Sequence, residues 1–150
     1  MSELRDLYQE VILDHSRQPR NFYAMEDSSH RAEGYNPLCG DKVTIYLRCE
    51  DDVVTKVSFE GAGCAISTAS ASILTECLVG KTRQAVQELF DSFHDMLTGK
   101  AEPLPDTEKL GKLAVFQGVC EFPMRVKCAT LAWHALQAAF DETNDSITTE

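Results

Sequence analysis

Apolar positions at Leu4, Leu7, Tyr8, Val11 and Ile12 recur at helical spacing behind Ser2, a suitable N-cap, and predict an amphipathic helix that opens the chain. Pro19, within Arg17-Gln18-Pro19-Arg20-Asn21, ends it, because proline disfavours a helical residue ahead of it. Residues 21–38, with Gly34, Asn36 and Pro37 as turn formers, read as irregular loop. The period then changes to two. Val43, Ile45, Leu47 and Cys49 share one face of a strand; past an acidic turn at Glu50-Asp51-Asp52, Val53, Thr55, Val57 and Phe59 share one face of a second. This is the pattern of an antiparallel hairpin with one face buried.

The second strand runs into Gly61-Ala62-Gly63 and delivers Cys64 to the start of a helix, Ala65 to Val79, rich in small residues that permit close packing. Gly80 can end it. Val86, Leu89, Phe90, Phe93, Met96 and Leu97 mark a second amphipathic helix over 82–97, and Gly99 to Pro105 a break. A short helical piece is expected around Leu110, Leu113 and Phe116. Pro123, whose missing N–H a first helical turn does not use, opens a long helix to about Phe140. The expected architecture is a single α+β domain over 1–140, a small antiparallel β-sheet with helices packed on one face, followed by a disordered polar tail over 141–150.

Composition narrows the class. A chain of 150 residues that is 43% hydrophobic and 25% charged buries a core without disulfide staples. Its start shows no apolar segment of signal-peptide type and no run spans a bilayer, so no membrane association and a cytoplasmic location are expected. The 6 cysteines are then expected to be reduced, which favours metal binding or thiol chemistry. A formal charge of -10 argues against nucleic acid as partner; it suits solubility and a basic protein partner.

Three cysteines and one aspartate form the candidate site. Cys39 and Asp41 flank Gly40, whose backbone freedom can aim both at one point. Cys64 sits where helix N-terminal N–H groups favour negative charge. Cys128 lies one turn after Arg125 on the last helix, so the guanidinium can offset the net charge of -2 that three thiolates and a carboxylate leave around a divalent ion. An all-thiolate set suits a closed structural site; one oxygen ligand suits a site that exchanges a ligand. Taken alone, each thiol is as well explained as a buried hydrophobe, and no tight Cys-x-x-Cys pair strengthens the case. Cys49 and Cys77 read as core residues and Cys120 as a bystander. His15 reads as a cation at a helix end, His30 and His94 as exposed, and His134 as off the ligand face.

Three blocks carry a resemblance: Asn36-Pro37-Leu38-Cys39-Gly40-Asp41, Phe59-Glu60-Gly61-Ala62-Gly63-Cys64-Ala65-Ile66-Ser67, and Phe122-Pro123 through Trp133, with Leu7-Tyr8, Asp14-His15 and Pro19-Arg20-Asn21 ahead of them. In this order they resemble the U-type iron–sulfur assembly proteins, the IscU/SufU family, related to the NifU N-terminal domain. The helical segment around 82–105, and Lys127 where IscU-type scaffolds have histidine, look like the SufU branch. The resemblance implies a zinc site of Cys39, Asp41, Cys64 and Cys128, Cys39 as sulfur acceptor, and a SufS-type pyridoxal-phosphate cysteine desulfurase as donor, with downstream iron–sulfur assembly proteins as further partners.

The mechanism so implied is a zinc-dependent sulfur relay (a sulfurtransferase reaction). Docking frees Cys39 from zinc, Cys39 takes persulfide sulfur from the desulfurase, and Asp41, Cys64 and Cys128 retain the ion while Arg125 supports the charge. Two readings compete. The same residues can assemble a transient [2Fe–2S] cluster as a scaffold, since thiolates suit iron equally. Or the ion is purely structural, in an interaction module whose folding depends on it.

Overall fold

The computed structural model describes residues 2–37, 40–98, 110–141 and 147–148, with the side chains of 2–5, 120 and 147–148 outside that description. Helix α1 (Ser2–Arg17) leads into β1 (His30–Asn36), β2 (Asp41–Glu50) and β3 (Val53–Ala62). Helices α2 (Ala65–Leu78) and α3 (Arg83–Leu97), a 3-10 helix (Gly111–Glu121) and α4 (Pro123–Phe140) follow, and β4 (Ile147–Thr148) completes the order. The sheet order is β3-β2-β1-β4, with β1, β2 and β3 antiparallel.

The predicted hairpin is present. Its two-residue turn places Asp51 and Asp52 at φ 53° and 66°, both left-handed, so that its twist matches that of the strands. The alternation along β3 departs from expectation. Arg48 faces Lys56 while Cys49 faces Val54, so Thr55 bulges out, its hydroxyl donating to Arg48 O at 3.0 Å. One extra residue reverses the side-chain parity. Val54, rather than Val53 or Thr55, therefore joins Val57 and Phe59 in the core.

Part of the expected loop over 21–38 is strand β1. Its inward positions are Ala32, Gly34 and Asn36, residues with no strand preference of their own. They are small because α4 lies directly on them: a Cβ on Gly34 would sit 3.0 Å from Leu131 and 3.3 Å from Ala135. In the expected tail, Ile147–Thr148 pair in parallel with Gly34 and Tyr35. The rest of 142–150 lies outside the described residues.

The helices cover one sheet face. α4 packs on β1 and β2, and α2 is sandwiched between α1 and α4. The buried serines of α2 make this close packing possible; Ser70 donates to Ala129 O of α4 at 2.6 Å. α3 is fastened by aromatic rings. Trp133 of α4 stacks on Phe90 at 5.6 Å, and Phe93 meets both Trp133 and Phe116 of the 3-10 helix. No helix among the described residues is long and apolar enough to cross a membrane.

His15 departs from its reading as a cation at a helix end. It is only 1% exposed, with Nδ1 2.7 Å from Ser72 Oγ and Nε2 facing Glu76 and Lys112. Burial, followed by the nearby Arg20 and Lys112 charges, pushes its pKa below the ordinary histidine value, so it joins α1 to α2 as a neutral ring. His30 and His94 are half-buried rather than exposed. Cys49 and Cys77 are half-buried too, and burial raises both thiols.

Candidate metal centre

Three of the four expected ligands meet at one end of the sheet. Asp41 is the first residue of β2, Cys64 is the N-cap of α2, and Cys128 lies in the second turn of α4. A carboxylate oxygen of Asp41 and the two Sγ atoms all lie within 4.8 Å of one another. Asp41 and Cys128 are fully buried and Cys64 is partly so. Cys39 lies outside the described residues.

The chain reaches this convergence through its turns. Gly40 adopts φ +71°, a left-handed conformation that suits glycine, immediately before Asp41. Across the β2–β3 ladder, Lys42 faces Ala62, so the end of β3 returns beside Asp41 and passes directly into α2. Gly63 has to be glycine here because a Cβ would fall 2.5 Å from Asp41 Oδ1.

The two oxygens of Asp41 have separate tasks. Oδ1 accepts the backbone N–H of Cys64 at 2.8 Å, which fixes the carboxylate plane. Oδ2 is left facing Cys64 Sγ at 3.8 Å. Cys64 Sγ accepts the Ser67 N–H at 3.4 Å, so the helix N-terminus supplies its own donor to this sulfur. Cys128 Sγ accepts a hydrogen bond from Asn36 Nδ2 at 3.6 Å and lies 3.8 Å from Met124 O.

This donor set fits a divalent zinc or iron ion. Tetrahedral coordination with Zn–S of ~2.3 Å and Zn–O of ~2.0 Å places ligand atoms roughly 3.5–3.8 Å apart. The Asp41–Cys64 pair already stands at 3.8 Å, and the widest separation allowed, 4.8 Å, exceeds that range modestly. Cysteines bind such an ion as thiolates, so metal binding at this set would be coupled to proton release. Arg125 is exposed on the first turn of α4, and Lys127 is half-buried beside Cys128. Asn36, expected as a turn former, is instead the last residue of β1 and pairs with Asp41 across the ladder. The side chain of Cys120 lies outside the described ones.

Known proteins are similar over most of the chain. Residues 7–129 match the NifU-like N terminal domain. The chain is 40% identical over 136 residues to the zinc-dependent sulfurtransferase SufU of Bacillus subtilis, covering 91% of this chain and 90% of that one. It is 37% identical over 139 residues to the iron-sulfur cluster assembly scaffold protein IscU of Streptococcus pyogenes, covering 93% and 86%. A crystal structure of a putative iron-sulfur cluster assembly scaffold protein for the SUF system, from Fervidobacterium islandicum, superimposes with a TM-score of 0.81 at 38% identity, covering 87% of this chain and 93% of that one. The N-terminal part of a NifU-like protein from Brucella abortus does so with a TM-score of 0.81 at 25% identity, covering 91% and 94%. With the sheet, the helix layer and the Asp41–Cys64–Cys128 cluster in place, the chain belongs to the NifU-like N-terminal domain family, among relatives named IscU and SufU.

Proposed function

We propose that this protein serves iron–sulfur cluster assembly as a zinc-dependent sulfur acceptor, taking persulfide sulfur from a pyridoxal-phosphate cysteine desulfurase of the SufS type onto Cys39. The observation that carries the reading is the mixed cluster of one carboxylate and two thiols at the sheet end, two residues beyond Cys39. Asp41, Cys64 and Cys128 hold the zinc, with Cys39 as fourth ligand. Bound zinc supplies charge that keeps thiols deprotonated and shields them from oxidation.

The transfer itself is a thiol–persulfide exchange. Cys39 Sγ attacks the outer sulfur of the desulfurase persulfide, the donor's S–S bond breaks, and a new S–S bond forms on Cys39. The donor cysteine leaves as thiolate with the bonding electron pair, so nothing is oxidised or reduced overall. Asp41 stays oriented by the Cys64 N–H, and Cys128 stays buried, so neither competes for the incoming sulfur. Arg125, exposed one turn before Cys128, offsets the negative charge of the set.

Two features support the sulfur acceptor over a scaffold: Lys127 stands where IscU-type scaffolds carry histidine, and the α3 segment resembles the SufU branch. The scaffold reading keeps support of its own, since relatives named IscU share most of the chain and a thiolate–carboxylate set accepts iron. A test that separates the readings follows desulfurase turnover by alanine release with cysteine as substrate. The zinc-loaded protein is expected to stimulate turnover, and the Cys39→Ser variant or zinc-stripped protein to stimulate it far less. No stimulation, with a coloured cluster formed once iron is supplied, points to the scaffold. Neither response, with folding that depends on zinc, points to a structural module.

A further inference from the structure

The sheet end nearest the centre is built on one ladder pair, Asn36 of β1 opposite Asp41 of β2. Both side chains are fully buried. Asp41 turns to the Cys64 N–H, and Asn36 places Nδ2 3.6 Å from Cys128 Sγ. A buried amide is costly unless its N–H groups find acceptors, and a neutral thiol is a weak acceptor. A thiolate is a much better one, because the bond is then charge-assisted. The Asn36–Cys128 contact is therefore worth most when Cys128 carries charge, which is its state as a metal ligand.

With Asp41, Cys64 and Cys128 holding a divalent ion, as proposed above, we propose that Asn36 is a positioning residue of the centre. Its amide donates to Cys128 Sγ and holds that thiolate as the retained ligand, leaving exchange to Cys39. Both thiols of the cluster then accept an N–H from the fold, Cys64 from the Ser67 backbone and Cys128 from a side chain. Only the second can be removed by substitution without rebuilding a helix terminus. Each N–H also spreads the charge of an anionic set, the service expected of outer partners to metal ligands.

The test uses the full-length protein and its Asn36→Asp and Asn36→Ser variants. Zinc-loaded samples are challenged with a chromophoric chelator, and cobalt(II)-loaded samples are read for the thiolate-to-metal charge-transfer band. Asn36→Asp turns an acceptor toward the thiolate and is expected to release zinc about 10–100-fold faster, the usual size of such a loss. Asn36→Ser is expected to release it faster by a smaller factor, and both variants to shift the band, with release faster than any change in metal-free unfolding temperature accounts for. Wild-type release rates with an unshifted band overturn the role of Asn36. So does faster release that merely tracks a loss of metal-free stability. Should Asn36→Asp fail to fold, Asn36→Ser decides by the same two readings. A wild-type protein that binds neither zinc nor cobalt overturns the metal-holding reading itself, an outcome distinct from wild type binding both while the variants behave like it.

Discussion

Gly63→Ala puts the carboxylate of Asp41 to the test without touching a ligand. The added Cβ falls 2.5 Å from Asp41 Oδ1 and 3.1 Å from its Cβ and Cγ, so Oδ1 has to retreat to at least 3.0 Å. Asp41 is fully buried and cannot swing into water. The retreat breaks or lengthens the 2.8 Å bond from the Cys64 N–H, which fixes the carboxylate plane. A hydrogen bond to a charged group is worth about 1.5–3 kcal/mol. At 1.4 kcal/mol per tenfold, a loss of that size weakens zinc binding roughly ten- to a hundredfold. In a chain of this length it lowers the unfolding temperature by about 3–12 °C. Chelator competition reads the first effect and thermal unfolding with and without zinc reads the second. Gly63→Ala with wild-type zinc affinity would refute the claim that this bond orients Asp41 as a ligand. Gly61→Ala is the contrasting control. At φ +153° its Cβ would lie 2.1 Å from the Lys42 carbonyl oxygen, so it disrupts the β2–β3 pairing and destabilises the fold whether or not metal is present.

Other expectations follow from the same contacts. Asp41→Ala removes both Oδ2 and the acceptor of the Cys64 N–H, and is expected to lower zinc content after dialysis against chelator; content equal to wild type contradicts its role as a ligand. Cys49→Ala and Cys77→Ala, which alter thiols outside the cluster, are expected to keep wild-type zinc content, and loss of the metal from either would widen the site. His15 has a folded pKa below its unfolded value near 6.5, so the unfolded chain binds the proton more readily. Its contribution to stability is present at neutral pH and lost as pH falls below about 6.5. Urea midpoints at pH 7.5 and 5.5 are expected to differ more for wild type than for His15→Gln; equal differences would show that other groups set the acid response.

Features carried by local chemistry were legible in the sequence. The Gly-x-Gly-Cys turn announced an N-cap at Cys64, the period-two runs announced the β2–β3 hairpin, and Pro123 marked the start of α4. What depended on distant neighbours was not. β1 is a strand because α4 presses on Ala32 and Gly34, a pressure with no trace in the strand propensity of His30–Asn36. The bulge at Thr55 is fixed by its hydroxyl reaching Arg48 O across the ladder. His15 continues the half-buried stripe of Tyr8, Val11 and Ile12 at helical spacing, a pattern that competes with the simpler explanation of a polar residue at a helix end. In the candidate centre, residue types pointed to Asp41, Cys64 and Cys128, whereas the placement of Asn36 and Gly63 beside them emerged only from distances.

The most direct test of the central claim mixes zinc-loaded protein, without oxygen, with a SufS-type cysteine desulfurase and cysteine, then measures intact mass, zinc content and tryptic peptides. The account predicts one added sulfur atom on the peptide holding Cys39 with zinc still bound, and none in Cys39→Ser. Sulfur on another cysteine, or no sulfur on the wild-type protein at all, would contradict it.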